Sequence, residues 1–119
     1  MSLKFYKGFF SNKEDVLADI TKNNTWPTTY VSGATDGPPV HWHKDEVHAY
    51  IIEGETDFLD AENNKRTLVS AGDKIVVPAG DLHAEGAIKD RVVYILALPE
   101  ARLPEDFLAK FEPKESFKS

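Results

Sequence analysis

The chain has 119 residues, a net charge of −6 and no cysteine, enough for one packed core but not two, and a composition that excludes disulfide and thiolate chemistry. Its 14 basic residues form no stripe against the 20 acidic ones, which argues against nucleic acid or an anionic membrane as partner. No apolar run reaches the roughly 18 residues of a membrane helix, and the first ten residues lack a signal peptide's apolar core and cleavage site, so the expectation is a single cytoplasmic domain over residues 1–119.

In chain order, residues 3–10 alternate loosely, as an edge strand does. Asn12 is placed to cap a helix with Glu14 and Asp15 in its first turn. Val16, Leu17 and Ile20 give that helix an apolar face, and Asn23-Asn24 ends it. Pro27 marks a turn, and residues 28–32 are β-prone. From 38 to 98 short apolar segments alternate with turn signals at Gly54, Asn63-Asn64, Ala71-Gly72-Asp73 and Ala79-Gly80-Asp81. Gly54-Glu55 is expected to form a two-residue hairpin loop joining strands 49–53 and 56–60. Segments 67–70, 74–77, 82–87 and 91–98 complete the series. About eight short strands at this spacing indicate a sandwich or barrel. Residues 103–111 are expected to form a short closing helix, with Pro104 at its first position and Phe107, Leu108 and Phe111 on one face. Residues 112–119 are polar and expected to fray.

Chemistry concentrates at His41-Trp42-His43 and at Pro78-Ala79-Gly80-Asp81-Leu82-His83, which hold three of the four histidines. On a strand the i, i+2 spacing puts His41 and His43 on one face, where a helix would splay them; Pro38-Pro39 ahead of them also argues against a helix. A third imidazole from a later strand can join them inside a small barrel. Three neutral nitrogens leave positions open on a metal, the layout of a catalytic rather than a closed structural site. Taken alone, His-x-His also fits a solvated strand.

The surrounding segments carry more. Gly72, five intervening residues, then Pro78-Ala79-Gly80-Asp81-Leu82-His83 resembles the second motif of the cupin superfamily. Gly37, His41-Trp42-His43 and Tyr50-Ile51-Ile52-Glu53-Gly54 resemble the first. The resemblance covers residues 37–87. It implies an all-β fold, a double-stranded β-helix or jelly roll, here with short helices near both termini. It also implies a small-molecule substrate and one divalent first-row ion (Fe, Mn, Ni, Zn or Cu) on His41, His43 and His83.

The sequence departs from the family pattern at three points. Val47 stands where the first motif usually has a metal-binding glutamate, Ala87 replaces an asparagine that often ends the second motif, and the glycine before the first histidine sits two residues closer than usual. Glu46 and His48 flank the glutamate slot and would enter it only through a β-bulge, since regular alternation points both away. Glu85 shares a face with His83 and is a candidate general base or a group orienting an imidazole. Three histidines without a carboxylate would leave a divalent ion its full charge and favour an anionic chelator such as an enolate, a β-dicarbonyl or a 2-oxo acid.

Other residues have plainer readings. Trp42 alternates away from its neighbours and belongs to packing or an oligomer contact. Tyr50, Tyr94 and Phe58 read as core, Lys44, Arg66 and Arg91 as solvated charges, and Asp45-Glu46 as a turn surface. The expected function is a metal-dependent enzyme with dioxygenase-like oxidoreductase chemistry. One rival is a metal-independent sugar epimerase or isomerase, which needs Tyr50 or Tyr94 in the cavity. Another is a non-catalytic module that binds a metabolite or metal. Exposed sheet edges lead to the expectation of a homodimer, with strand 3–10 contributing.

Overall fold

The computed structural model of the protein describes residues 2–115. Among the described residues its elements run β1 (Lys4–Tyr6), α1 (Lys13–Asn23), β2 (Trp26–Thr35), β3 (Val47–Glu53), β4 (Glu55–Asp60), β5 (Lys65–Ser70), β6 (Lys74–Val77), β7 (His83–Glu85) and β8 (Ile88–Leu98). A five-stranded sheet in the order β1-β6-β3-β8-β2 faces a three-stranded sheet in the order β5-β4-β7, and neighbouring strands run antiparallel. This is the expected all-β jelly roll.

Side-chain period decides which face meets the core. On β8, Val92, Tyr94, Leu96 and Leu98 point between the sheets and join Val47, Ala49 and Ile51 of β3, Ile75 and Val77 of β6, and Phe58 and Val69 of the smaller sheet. The opposite face of the larger sheet carries Tyr50 and Ala97, on which Val16 and Ile20 of α1 pack. Because α1 covers that face, the first five residues of β3 are all buried. The segment therefore reads as an unbroken run rather than an alternating one. The helix starts as its sequence indicates: Asn12 accepts from the Asp15 amide at 2.9 Å, and Asp15 accepts from the Ser11 amide at 3.0 Å. It ends at Asn24 in the left-handed region, φ 53°. Leu17 does not share the apolar face; it is 55% exposed, because the sheet meets only the stripe from Val16 to Ile20.

Pro27 marks no turn but lies inside β2, opposite Ala97, and three expected elements differ. Gly54 does not close a hairpin: β3 pairs with β6 and β8, whereas β4 pairs with β5 and β7. The chain turns there from one sheet into the other. Gly54 has φ +91°, and a Cβ would lie 2.4 Å from the Arg91 carbonyl oxygen, so the glycine serves a crowded corner. Segment 82–87 is not one strand; β7 stops at Glu85 and β8 already begins at Ile88.

The third difference is the closing helix near the C-terminus, which does not form. Residues 104–108 are turns, Leu108 takes φ +52°, and Phe111 pairs with Trp42 instead, amide to carbonyl both ways at 3.0 and 3.1 Å. Trp42 would otherwise bury an unpaired backbone, and its indole stacks on the Phe111 ring at 4.6 Å and 22°. That tertiary pairing outweighs a short segment's helix propensity. Trp42 is thus packing, 3% exposed. Of the polar end expected to fray, residues 116–119 lie outside the described residues.

Candidate metal centre

The two histidine segments are joined through their backbones. His41 and His83 exchange both amide-to-carbonyl bonds, at 2.9 and 3.0 Å, and the Gly80 amide donates to the His43 carbonyl at 2.9 Å. His41 and Trp42 belong to isolated bridges rather than a strand, yet the i, i+2 facing holds and both imidazoles turn inward. β7 lies against β4, with Asp60 opposite His83 and Phe58 opposite Glu85. Glu85, two residues after His83, projects on the same side. Gly37 lets the preceding loop reach this strand: it has φ +90°, and a Cβ would sit 2.7 Å from the Glu85 carbonyl oxygen.

One nitrogen or oxygen from each of His41, His43, His83 and Glu85 lies within 4.8 Å of the others. The ring centroids are 4.6 to 5.0 Å apart. The His83 Nε2 is 3.0 Å from Glu85 Oε2, and the His41 Nε2 is 3.4 Å from Oε1. Each outer nitrogen meets a backbone carbonyl: His41 Nδ1 at Pro39 (2.7 Å), His43 Nδ1 at Ala109 (3.0 Å) and His83 Nδ1 at Asp81 (2.8 Å). A carbonyl only accepts, so Nδ1 carries the proton in all three rings. In the neutral tautomer Nε2 is then a bare lone pair aimed inward. The His41 Nε2 and Glu85 Oε2 are buried and have no aligned hydrogen-bond partner.

Charge follows from this geometry. Burial, together with the neighbouring His83 and His41, lowers the His43 pKa to about 4 against the pull of the Ala109 carbonyl, so the ring is neutral near pH 7. Burial also pulls His83 down, but the Glu85 carboxylate more than reverses this and its pKa is raised. Burial pushes Glu85 up, and the contacts with His41 and His83 outweigh that and hold it well below the usual carboxylate range. The protein atoms at this point favour a positive charge between the rings and the carboxylate.

The gathered donor set therefore includes one carboxylate, where the sequence leads to none. It comes from the strand of the third histidine rather than from position 47, whose valine packs in the core. An ionised Glu85 halves the net charge of a divalent ion, which weakens the expected preference for strongly anionic chelators. His48 and Glu46 are not brought in. His48 lies on the face under α1, with Nε2 3.3 Å from Glu46, because no bulge interrupts its pairing with Val76 and Ala97. Tyr50 is on that side too, donating to Asp19.

A cavity of about 530 Å³ opens beside the cluster, within the roughly 300–1,000 Å³ usual for small-molecule sites, and His43, His83, Glu85, Tyr94, Phe107 and Lys110 are among its lining residues. Sequence reading missed the part played by the strap 103–111, which supplies both cavity wall and the carbonyl that orients His43. No local signal announces a carbonyl's partner 66 residues away. The other residues read as surface have partners: Asp45 takes a paired contact from Arg102, Arg66 bonds Asp57, Arg91 bonds Glu53, and Lys44 lies over the Phe111 ring.

Residues 28–99 match a family profile described as "Cupin domain". No curated protein matches the chain in sequence. Similar solved structures include a DUF861 family protein from Thermotoga maritima, at 17% identity and TM-score 0.58, covering 81% of this chain and 98% of that one. The polyketide cyclase RemF from Streptomyces resistomycificus matches at 21% identity and TM-score 0.54, covering 69% of this chain and 63% of that one. A ribosomal oxygenase from Escherichia coli matches at 13% identity and TM-score 0.52, over 78% of this chain but only 28% of that one. At these identities the likeness is one of fold.

Proposed function

The chain belongs to the cupin family, and from that premise we propose that it is a metal-dependent enzyme acting on a small molecule, with dioxygenase-like chemistry. The ligands in this reading are His41, His43, His83 and Glu85. The observation that carries it is the inward convergence of three Nε2 atoms and a partly buried carboxylate, with the His41 Nε2 and the Glu85 Oε2 lacking an aligned hydrogen bond. Buried acceptors crowded together repel unless a cation lies among them. One divalent first-row ion, Fe, Mn, Ni, Zn or Cu, fits this mixed nitrogen and oxygen set, and would supply Lewis-acid chemistry or, as a redox ion, electron exchange with dioxygen.

The chain's own groups do the rest. The carbonyls of Pro39, Asp81 and Ala109 hold the ring orientations. Glu85 lowers the net charge to about one unit, which suits a ligand with a single ionised oxygen. The apolar core side of the cavity keeps bulk water off the reacting end. Metal analysis of protein purified without chelator or nickel resin should find about one ion per chain. Oxygen uptake across β-dicarbonyls and 2-oxo acids should depend on that ion. A folded protein that takes up none of these ions when they are supplied, or a metal-loaded protein that consumes no oxygen across the panel, would end this reading.

One observation favours the metal-independent epimerase as second reading: Tyr94 lines the cavity. Activity surviving complete metal removal would select it. For the assembly we propose a homodimer. The exposed apolar residues of the larger sheet's edge gather on β2, where Trp26 and Val31 are 56% and 55% exposed, so a second copy fits better there than against the three-residue β1. No helix among the described residues is long and apolar enough to cross a membrane, and a cytoplasmic location remains part of the proposal.

A further inference from the structure

The walls of the cavity away from the histidines bear on what it holds. Tyr30 of β2 and Tyr94 of β8 are register partners on adjacent strands, with ring centroids 6.2 Å apart and planes at 41°. Phe107, from the strap, lies 6.4 Å from Tyr30 at 46°. All three rings line the cavity that also takes in His43, His83 and Glu85. Rings tilted in this way leave faces that they do not cover for one another. Three separate parts of the chain thus bring aromatic surface to one space. Aromatic groups engage each other at tilted or offset centroid distances of roughly 4.5–7 Å, so a further ring among these three meets favourable geometry from several sides.

The polar side of the lining comes from His43, His83 and Glu85, with Ser32, Thr35 and Lys110 elsewhere on the wall. Tyr94 is 4% exposed to bulk solvent, and it lines the cavity. Burial, the Glu85 charge and Tyr30 together raise its pKa, so it stays a protonated donor. The carboxylate of Glu85 leaves a bound divalent ion with about one uncompensated charge. Lys110, exposed at the rim, is the one lysine or arginine among the described lining residues. A small aliphatic chelator would satisfy the histidine end and leave the aromatic walls wetted.

We propose that the ligand is an aromatic molecule bearing a bidentate, singly ionised oxygen head, its ring held among Tyr30, Tyr94 and Phe107 and its head at the histidine–Glu85 end, within reach of the Tyr94 hydroxyl. This rests on the metal-dependent reading above and specifies its substrate class. Phe107 and Tyr30 are specificity-determining residues in this assignment, and Tyr94 positions the head.

A matched pair of probes tests it: benzohydroxamate and acetohydroxamate share one chelating head and differ in the ring. Titrated into cobalt-loaded protein and followed by the cobalt absorption bands, benzohydroxamate should bind at least roughly tenfold tighter, the sum of several aromatic contacts. Phe107→Leu, which keeps apolar bulk and removes the ring, and Tyr30→Ala should each erase roughly three- to tenfold of that preference and leave acetohydroxamate within about twofold. Thermal melts of the variants confirm folding. Equal affinity for the two probes, or a preference that both variants leave intact, overturns the aromatic assignment while cobalt binding keeps the metal reading alive. A folded protein that takes up no cobalt overturns both.

Discussion

Glu85 sets the charge of the site, and its position shows how one side chain changes what a donor cluster can hold. With Glu85 ionised between His41 and His83, the cluster resembles a three-histidine, one-carboxylate set, although the usual carboxylate position holds Val47. Glu85→Gln keeps the shape and removes the charge, and should lower metal affinity by roughly 10–100-fold, measured by competition with a chromophoric chelator. His48→Gln should leave that affinity unchanged, because its ring lies on the far side of β3 with Glu46, Asp19 and Lys74. A loss as large as that of the Glu85 variant would mean that His48 does reach the cluster. The His41–His43 facing was legible from a spacing of two residues. The Glu85 contact was legible only as a shared face with His83; its distance to His41 depends on how β7 meets the earlier segment.

At the scale of elements, the strap and the helix are both held by tertiary contacts. The strap reaches His43 through the Ala109 carbonyl and is fastened by the Phe111–Trp42 pairing and ring stack. Phe111→Ala should therefore weaken metal binding by roughly tenfold, as loss of an outer hydrogen-bond partner does, while the β-sheet circular dichroism stays intact. Unchanged metal affinity would show that the strap is only a cover.

The helix α1 sits over a buried network in which Asp19 accepts from Tyr50 and Lys74. Burial raises Asp19, but those two bonds outweigh it and hold the carboxylate below its ordinary 3.8. Burial and then Lys74 lower His48 below 6.5, against the opposing pull of Glu46 and Asp19. Both folded-state values are depressed, so the unfolded chain binds more protons in each window. Stability should fall as pH drops below about 6.5, and again below about 3.8. His43, held down to about 4, contributes to the first decline as well, so His48→Gln should make that decline in denaturant midpoints between pH 7 and 5 shallower without abolishing it. At the sheet corner, Gly54→Ala should cost about 1–3 kcal/mol in urea unfolding, since φ +91° and the Arg91 carbonyl oxygen both oppose a Cβ.

For the whole molecule, two sheets of unequal size enclose the core and leave the cavity between β2, β7, β8 and the strap. The larger sheet ends in a ten-residue strand, β2, whose outer edge pairs with nothing among the described residues. If β2 is the dimer edge, Val31→Lys should convert a dimer into a monomer in sedimentation velocity, because a charge on an exposed strand opposes edge pairing. A wild-type chain that is monomeric at high concentration would remove the homodimer from the proposal.

Local rules determined what local rules can. Period-two facing paired His41 with His43 and His83 with Glu85, a cap and an asparagine pair bounded α1, and turn residues separated strands whose number indicated a sandwich or barrel, which the motif resemblance narrowed to a jelly roll. Tertiary structure decided where Gly54 sends the chain, that residues 103–111 bridge to Trp42 rather than coil, and that Glu85 meets two histidines at once. These outcomes are set by contacts between residues far apart in the chain. Their energies depend on backbone groups needing partners and on buried charges needing opposites, and neither requirement is written in the spacing of neighbours.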